Sequence, residues 1–276
     1  MFEADFCDNK VYIKNVRNFD LAQTLDCGQA FRFAPKENGV WHGVAKNRYI
    51  ELEFKGDCLI ISGSDRKDFE EIWRNYFDLD RDYGEIIENI SVNETIKKAA
   101  QYGSGIRILN QDPWEALCSF IISQNNNIPR IKGIIERLCE GYGEKCGEGY
   151  TFPDAATISK LTAEELGFLR AGFRAKYIID AAKKVASGEI DLESLKSTDF
   201  ETARNTLMKI KGVGPKVADC ALLFGLGHIE AFPRDVWIKR AMEELFGGEL
   251  PECATAYAGI VQQYIFFYAR NNLNNK

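Results

Sequence analysis

The feature that most limits what this chain can fold into is a change of texture near residue 95. Before it, "VYIKNV", "FRFAP", "VWHGVA", "RYIELEF" and "CLIISGS" are short β-branched or aromatic runs broken by Gly, Asn and Asp. Such runs read as an antiparallel sheet. "DRKDFEEIWRNYF" then shows helical spacing, and from about residue 97 the pattern is helical almost throughout. Strands gathered first and helices afterwards point to an α+β fold. We therefore expect an N-terminal antiparallel sheet domain over residues 1–95 and a helical body over 96–276.

Composition narrows the function classes. The 276 residues carry a net charge of −6, so bulk charge does not hold this chain to nucleic acid; a local basic patch would have to. Residues 201–240 supply one, with seven Lys and Arg against four acids. Eight cysteines show no C-x-x-C spacing, which reads as reduced thiols in a cytoplasmic protein, nucleoid-associated in a prokaryote. Two histidines make a histidine-built metal site improbable, and no apolar stretch reaches the length of a membrane span.

Helix boundaries can be placed from local chemistry. "QDPWEALCSFIIS" opens with Asp112 as cap and Pro113 at the first helical position. Thr162 with Glu165 and Thr198 with Glu201 have capping-box spacing and are expected to open two further helices. "FETARNTLMKI" and "PKVADCALLFGL" are two helices joined by "KGVG", a helix–hairpin–helix over about 201–226. Gly212 and Gly214 permit positive φ and close approach, so the turn can aim several N–H groups outward. With the positive end of the second helix, Gly212, Gly214, Lys216 and Val217 form an expected phosphate contact that reads no sequence.

Lys216 is at the second position of that helix, where the macrodipole disfavours a cation, so function is a reason for its placement. An amine near a helix N-terminus and partly desolvated gains a neutral, nucleophilic fraction. It suits attack on a carbon of oxocarbenium character, such as a sugar C1′. A solvated lysine touching phosphate is the plainer alternative. Cys220 follows one turn later on the same face. Asp235, in "FPRDV", reads as an ordinary N-cap on local grounds. A capping carboxylate can also face a reaction centre.

These residues resemble the helix–hairpin–helix DNA glycosylases. "IKGVGPKVADC" followed by "FPRDV" is similar to that superfamily's hairpin, catalytic lysine and catalytic aspartate. "TLDCGQAFRF", "DPWEALCSFIISQNNNIPRIKGIIERLC", "AGFRAKYI" and "GIVQQYIFFYAR" each resemble segments of 8-oxoguanine DNA glycosylases of the eukaryote-like type, in that family's order. The resemblance implies an enzyme that flips oxidised guanine from duplex DNA, cuts its glycosidic bond and nicks the backbone. Lys216 would attack C1′ and form a Schiff base, and Asp235 would stabilise positive charge on the sugar. Gly28 would accept the N7–H that oxidised guanine has and guanine lacks. Gln262 and Phe266 would bond and stack on the base, with Cys220 on its opposite face, and the C-terminal helix would pack back on this pocket.

The resemblance further implies that Asn125 fills the hole left by the flipped base. Arg130 and Arg174 would bond the widowed cytosine, and Phe173 would act as an aromatic wedge. Trp237 stands where a phosphate-contacting histidine is expected, and Pro129 interrupts the loop expected to carry Arg130. Double-stranded DNA is the expected partner, the protein is expected to act as a monomer, and no cofactor is implied. A structural alkali-metal or calcium ion on the carbonyls of Met208, Ile210 and Val213 stays open. Relatives with an iron–sulfur cluster usually carry four close cysteines after the aspartate, whereas only Cys253 follows Asp235. Alkylbase glycosylases usually lack the lysine. A DNA-binding module without catalysis would leave Lys216, Asp235 and the Gly28 segment coincidental, and a metabolic Schiff-base enzyme would call for an α/β barrel pattern.

Overall fold

The computed structural model describes residues 2–273. Six antiparallel strands form one sheet: β1 Glu3–Cys7, β2 Lys10–Lys14, β3 Phe33–Pro35, β4 Trp41–Ala45, β5 Arg48–Lys55 and β6 Cys58–Ser62. Their order across the sheet is β1-β2-β6-β5-β4-β3. Period-2 alternation turns Val11, Ile13, Ile50, Leu52, Leu59 and Ile61 to one face, all fully buried. They pack with Trp73 and Tyr76 of the Arg66–Tyr76 helical run, which contains a π-helical stretch at Phe69–Trp73, and with Phe77 at its C-cap. β1 was not expected from the sequence; it is an edge strand with its outward residues exposed and only partly buried ones between them.

A second, larger cluster fills the helical body and takes in Cys27 and Phe31 from the N-terminal segment. The helices that shape the site are α1 Pro113–Ser123, α2 Ile128–Tyr142, α3 Arg174–Ala186, α4 Phe200–Leu207, α5 Pro215–Gly225, α6 Val236–Phe246 and α7 Ala258–Asn272. α1 is apolar nearly all round, which makes it a central helix rather than a surface one. Its cap is the expected one: the Asp112 side chain accepts from the amides of Trp114 and Glu115, each at 3.0 Å. Phe120 of α1 stacks on Phe224 of α5 with centroids 5.2 Å apart, locking the second hairpin helix to the body.

Two capping expectations need correction. Thr162 and Glu165 do exchange hydrogen bonds, but the box opens only turns and a short 3-10 segment, Gly167–Leu169, which Arg170 ends at φ 55. At α4 the cap is Asp199, which accepts from the Thr202 amide at 3.0 Å; the Thr198 hydroxyl instead donates back to the Ser194 carbonyl. An aspartate beside a threonine is the stronger competitor, because its charge also meets the helix dipole. No helix among the described residues is long and apolar enough to cross a membrane.

Candidate active site

The turn between α4 and α5 is held from within. Val213 N–H donates to the Ile210 carbonyl (3.0 Å) and Lys211 N–H to the Asp180 carboxylate (2.7 Å). Gly212 adopts φ 81, and a Cβ there would lie 2.3 Å from the Tyr177 ring, so both backbone and space demand glycine. Gly214 differs: its φ is −101, it faces open space, and as cap residue it places no side chain over the first amides of α5. The amides of Gly212, Gly214 and Lys216 have no partner among the described residues, whereas that of Val217, expected with them, already donates to the Gly214 carbonyl (3.1 Å). Neutral carbonyls such as those of Met208, Ile210 and Val213 suit a hard cation, although the Ile210 oxygen already accepts one N–H.

Beside this turn lies a cavity of about 360 Å³ whose walls include Gly28, Lys216, Cys220, Asp235, Gln262 and Phe266. Four separate segments meet there. α5 contributes Lys216 and Cys220 one helical turn apart. The Lys216 amine donates to the Ser123 hydroxyl at the end of α1 (3.3 Å) and lies 5.5 Å from the centre of the Phe120 ring. Cys220 is buried, and burial pushes its thiol up to about 11, opposed by the nearby Lys216. It is therefore a neutral, apolar surface rather than a competing nucleophile.

Asp235 caps α6 by accepting the Ile238 amide at 2.8 Å, as local chemistry predicts, and also lines the cavity. Desolvation raises its carboxyl above the ordinary carboxylate value, while the Ile238 amide and the Lys216 charge oppose that rise. An amine and a carboxylate thus share one partly dry space, where their fields are stronger than in water.

α7 supplies Gln262 and Phe266 from one face. Gln262 is buried; its Nε2 donates to the Pro233 carbonyl (3.1 Å) and its Oε1 accepts from Gln263 (2.9 Å). One N–H and one lone pair of that amide remain for a ligand edge. Gly28 adopts φ 94, a conformation glycine accepts readily. An added Cβ would meet Phe266 and Ile128 only at ordinary contact, 3.5 and 3.6 Å, so the backbone angle rather than space selects glycine here.

The other expected residues gather outside the cavity, around the starts of α2 and α3. Asn125 is exposed at φ 45. Arg174 is buried and its fork is occupied: it donates to the carbonyls of Gln124, Asn125 and Ala171, so it organises the Asn125 loop. Arg130 is exposed and donates to the Arg170 carbonyl (3.2 Å). It sits in the first turn of α2 rather than on a loop, because Pro129 occupies a position where proline suits a helix and Asn127 provides the cap. Phe173 is 51% exposed, edge-on to Tyr177 and 4.5 Å from the Arg174 guanidinium.

Sequence reasoning missed Ser123, Phe120 and Gln263. Phe120 and Ser123 are three apart on one face of α1, so the spacing was present; that the face meets Lys216 was not visible. Trp237 also lines the cavity, together with Arg270.

Residues 11–117 match the model of the 8-oxoguanine DNA glycosylase N-terminal domain, and residues 118–252 match that of the HhH-GPD superfamily base excision DNA repair proteins. A curated N-glycosylase/DNA lyase of Saccharomyces cerevisiae is 35% identical over 214 residues, 71% of this chain and 55% of that protein, so the chain spans about half its length. A probable N-glycosylase/DNA lyase of Methanothermobacter thermautotrophicus is 30% identical, covering 75% of each chain. The 8-oxoguanine glycosylase/lyase of Clostridium acetobutylicum, solved with double-stranded DNA containing cytosine opposite 8-oxoguanine, is 39% identical with a TM-score of 0.92 over 99% of this chain and 98% of that one. On these matches, the chain belongs to the 8-oxoguanine DNA glycosylase family of the HhH-GPD superfamily.

Proposed function

We propose that this protein is a bifunctional N-glycosylase and DNA lyase that removes 8-oxoguanine lying opposite cytosine in duplex DNA. The observation that carries the reading is the meeting of an amine, a carboxylate, a buried glutamine and an aromatic ring in one cavity beside a phosphate-ready hairpin. The Lys216 amine, released from Ser123, attacks C1′ as the bond from C1′ to the base breaks. The bonding pair leaves with the base, which then takes up a proton. Asp235, ionised, stabilises the positive charge that grows on the sugar. The sugar ring opens to a Schiff base on Lys216; loss of a C2′ proton then expels the 3′ phosphate, and water frees the lysine.

Recognition follows the same walls. The base is held between Cys220 and Phe266, with Gln262 on its edge and the Gly28 carbonyl accepting N7–H. A target base inside the stack cannot reach these groups, so it must be flipped. Asn125 enters the vacated space. Arg130, exposed nearby, bonds the cytosine, and Arg174 joins it by exchanging its carbonyl partners for the base.

Borohydride trapping tests the proposal. A duplex with one 8-oxoguanine opposite cytosine should yield a covalent adduct with this protein, and neither Lys216→Gln nor an undamaged duplex should. Base release without an adduct would assign the attack to water and leave Lys216 a phosphate contact. The absence of both release and adduct would refute the lesion assignment.

A further inference from the structure

Gln29 follows Gly28 directly and is fully buried. Every polar group of its side chain is used: Nε2 donates to the carbonyls of Thr24 (2.9 Å) and Arg107 (2.8 Å), and Oε1 accepts the Leu109 amide (2.9 Å). Its main-chain carbonyl accepts Nε2 of Gln111, itself buried, at 2.7 Å. The Gln111 amide donates in turn to the Phe224 carbonyl at 2.8 Å. Phe224 lies in the last turn of α5, the helix that carries Lys216 and Cys220.

An unbroken run of hydrogen bonds therefore joins the peptide beside Gly28 to the helix bearing the nucleophile. Plain packing does not call for this. An apolar side chain at position 29 would fill the space but leave the Arg107 carbonyl and the Leu109 amide buried and unpaired, and the Thr24 carbonyl with only the Cys27 thiol. These groups belong to segments far apart in sequence, so a single amide fixes the 24–29 turn against the 107–111 strap, and Gln111 fixes that strap against α5.

We infer that Gln29 and Gln111 are specificity-determining positioning residues, which set the Gly28 carbonyl at the spacing from α5 that lets a base resting on Cys220 present its N7–H. The inference rests on the proposed role of Gly28. It separates recognition from chemistry: displacing the Gly28 peptide alters which base fits, while Lys216 and Asp235 stay where they are.

Gln29→Leu is the direct variant but strips three bonds and endangers folding. Gln111→Met keeps the shape and removes a single donor. Discrimination is read in the Lys216→Gln background as the ratio of affinities for two duplexes, one with 8-oxoguanine and one with its 7-deaza analogue, which has C–H in place of N7–H. Chemistry is read in the Lys216 protein as β-elimination at a preformed abasic site, which needs no base recognition. Adding Gln111→Met should lower the affinity ratio by about tenfold, the worth of one well-aligned hydrogen bond, and leave the lyase rate unchanged. A retained ratio overturns the inference, and so does a parallel loss of lyase activity, which would mean general loosening of the fold. If the Lys216→Gln parent already binds both duplexes equally, the Gly28 reading itself fails, and this inference with it.

Discussion

Two glycines in one turn allow a sharp test of how the hairpin works. At Gly212 the backbone is left-handed, φ 81, and a methyl group would sit 2.3 Å from the Tyr177 ring. Holding an L side chain in that region costs on the order of 1–3 kcal/mol. Forcing the ring aside adds about 1–3 kcal/mol of overpacking. Gly212→Ala should thus lower Tm by at least about 3 °C. It should also disturb Phe173, which rests edge-on against Tyr177 at 5.6 Å. Gly214 is two residues away and has neither problem: its φ of −101 suits alanine and nothing lies within 4 Å of the new methyl. Losing glycine as the cap costs only about 0.5–1 kcal/mol. Its methyl would instead stand where a phosphate approaches the free Gly214 amide, weakening binding to any duplex by about tenfold for one charge-assisted bond. Thermal unfolding and fluorescence anisotropy on an undamaged duplex separate the two. If Gly212→Ala melts with the wild type, or Gly214→Ala is the less stable of the pair, the account of the turn is wrong.

Half-buried Asp235 and buried Asp219 should respond to pH in different ways. In the proposed mechanism Asp235 acts ionised, and burial raises its carboxyl above the ordinary carboxylate value, so single-turnover excision should rise with pH through that raised value. Asp235→Asn keeps the cap but removes the charge; excision should slow by about 10²–10³-fold and lose that acid limb, and an unchanged limb would clear Asp235 of the role. Asp219 accepts from Arg204 Nη2 at 3.3 Å and lies 2.8 Å from its poorly aligned Nε, yet burial lifts its carboxyl to about 6. The folded state then holds that proton more tightly than the unfolded chain, so the stability it gives is full below about pH 4 and is lost as pH rises through 6. Wild-type Tm should therefore gain on Asp219→Asn between pH 7 and pH 5, and a flat difference over that range would contradict the assignment.

Much of the architecture was legible because it is written in periodicity. The alternation of "RYIELEF" survives as β5, and Asp112–Pro113 fixes the start of α1 to the residue. What failed were decisions between adjacent candidates, where only geometry ranks them: Asp199 over Thr198 as a cap, and 3-10 turns rather than a helix after Thr162. β1 escaped notice because an edge strand with one wet face has little apolar signal. Within the site, Lys216 and Cys220 could be paired from helical spacing alone, and so could Gln262 and Phe266. Nothing local indicated that α1 would bring Ser123 to the Lys216 amine, or that Gly28 would lie against Phe266.

There is a physical reason why plain and functional readings of one residue kept competing in the sequence. A polar side chain lining a cavity must be satisfied while the cavity waits, since an unpaired buried group costs about 1–3 kcal/mol. Asp235 meets this need with the Ile238 amide, Gln262 with the Pro233 carbonyl and Lys216 with the Ser123 hydroxyl; outside the cavity, buried Arg174 meets it with three carbonyls. Each local pattern therefore shows an ordinary structural role, and that role is real. The difference lies in what each group can still give. Asp235 and Gln262 keep unused hydrogen-bonding capacity toward the cavity, and Lys216 is held by a single bond at 3.3 Å. Arg174 is spent on its loop, so the base recognition proposed for it requires the Gln124–Asn125 segment to find other partners. Readiness for a ligand is thus a property of the donors and acceptors left over, and those can be counted only once the chain has folded.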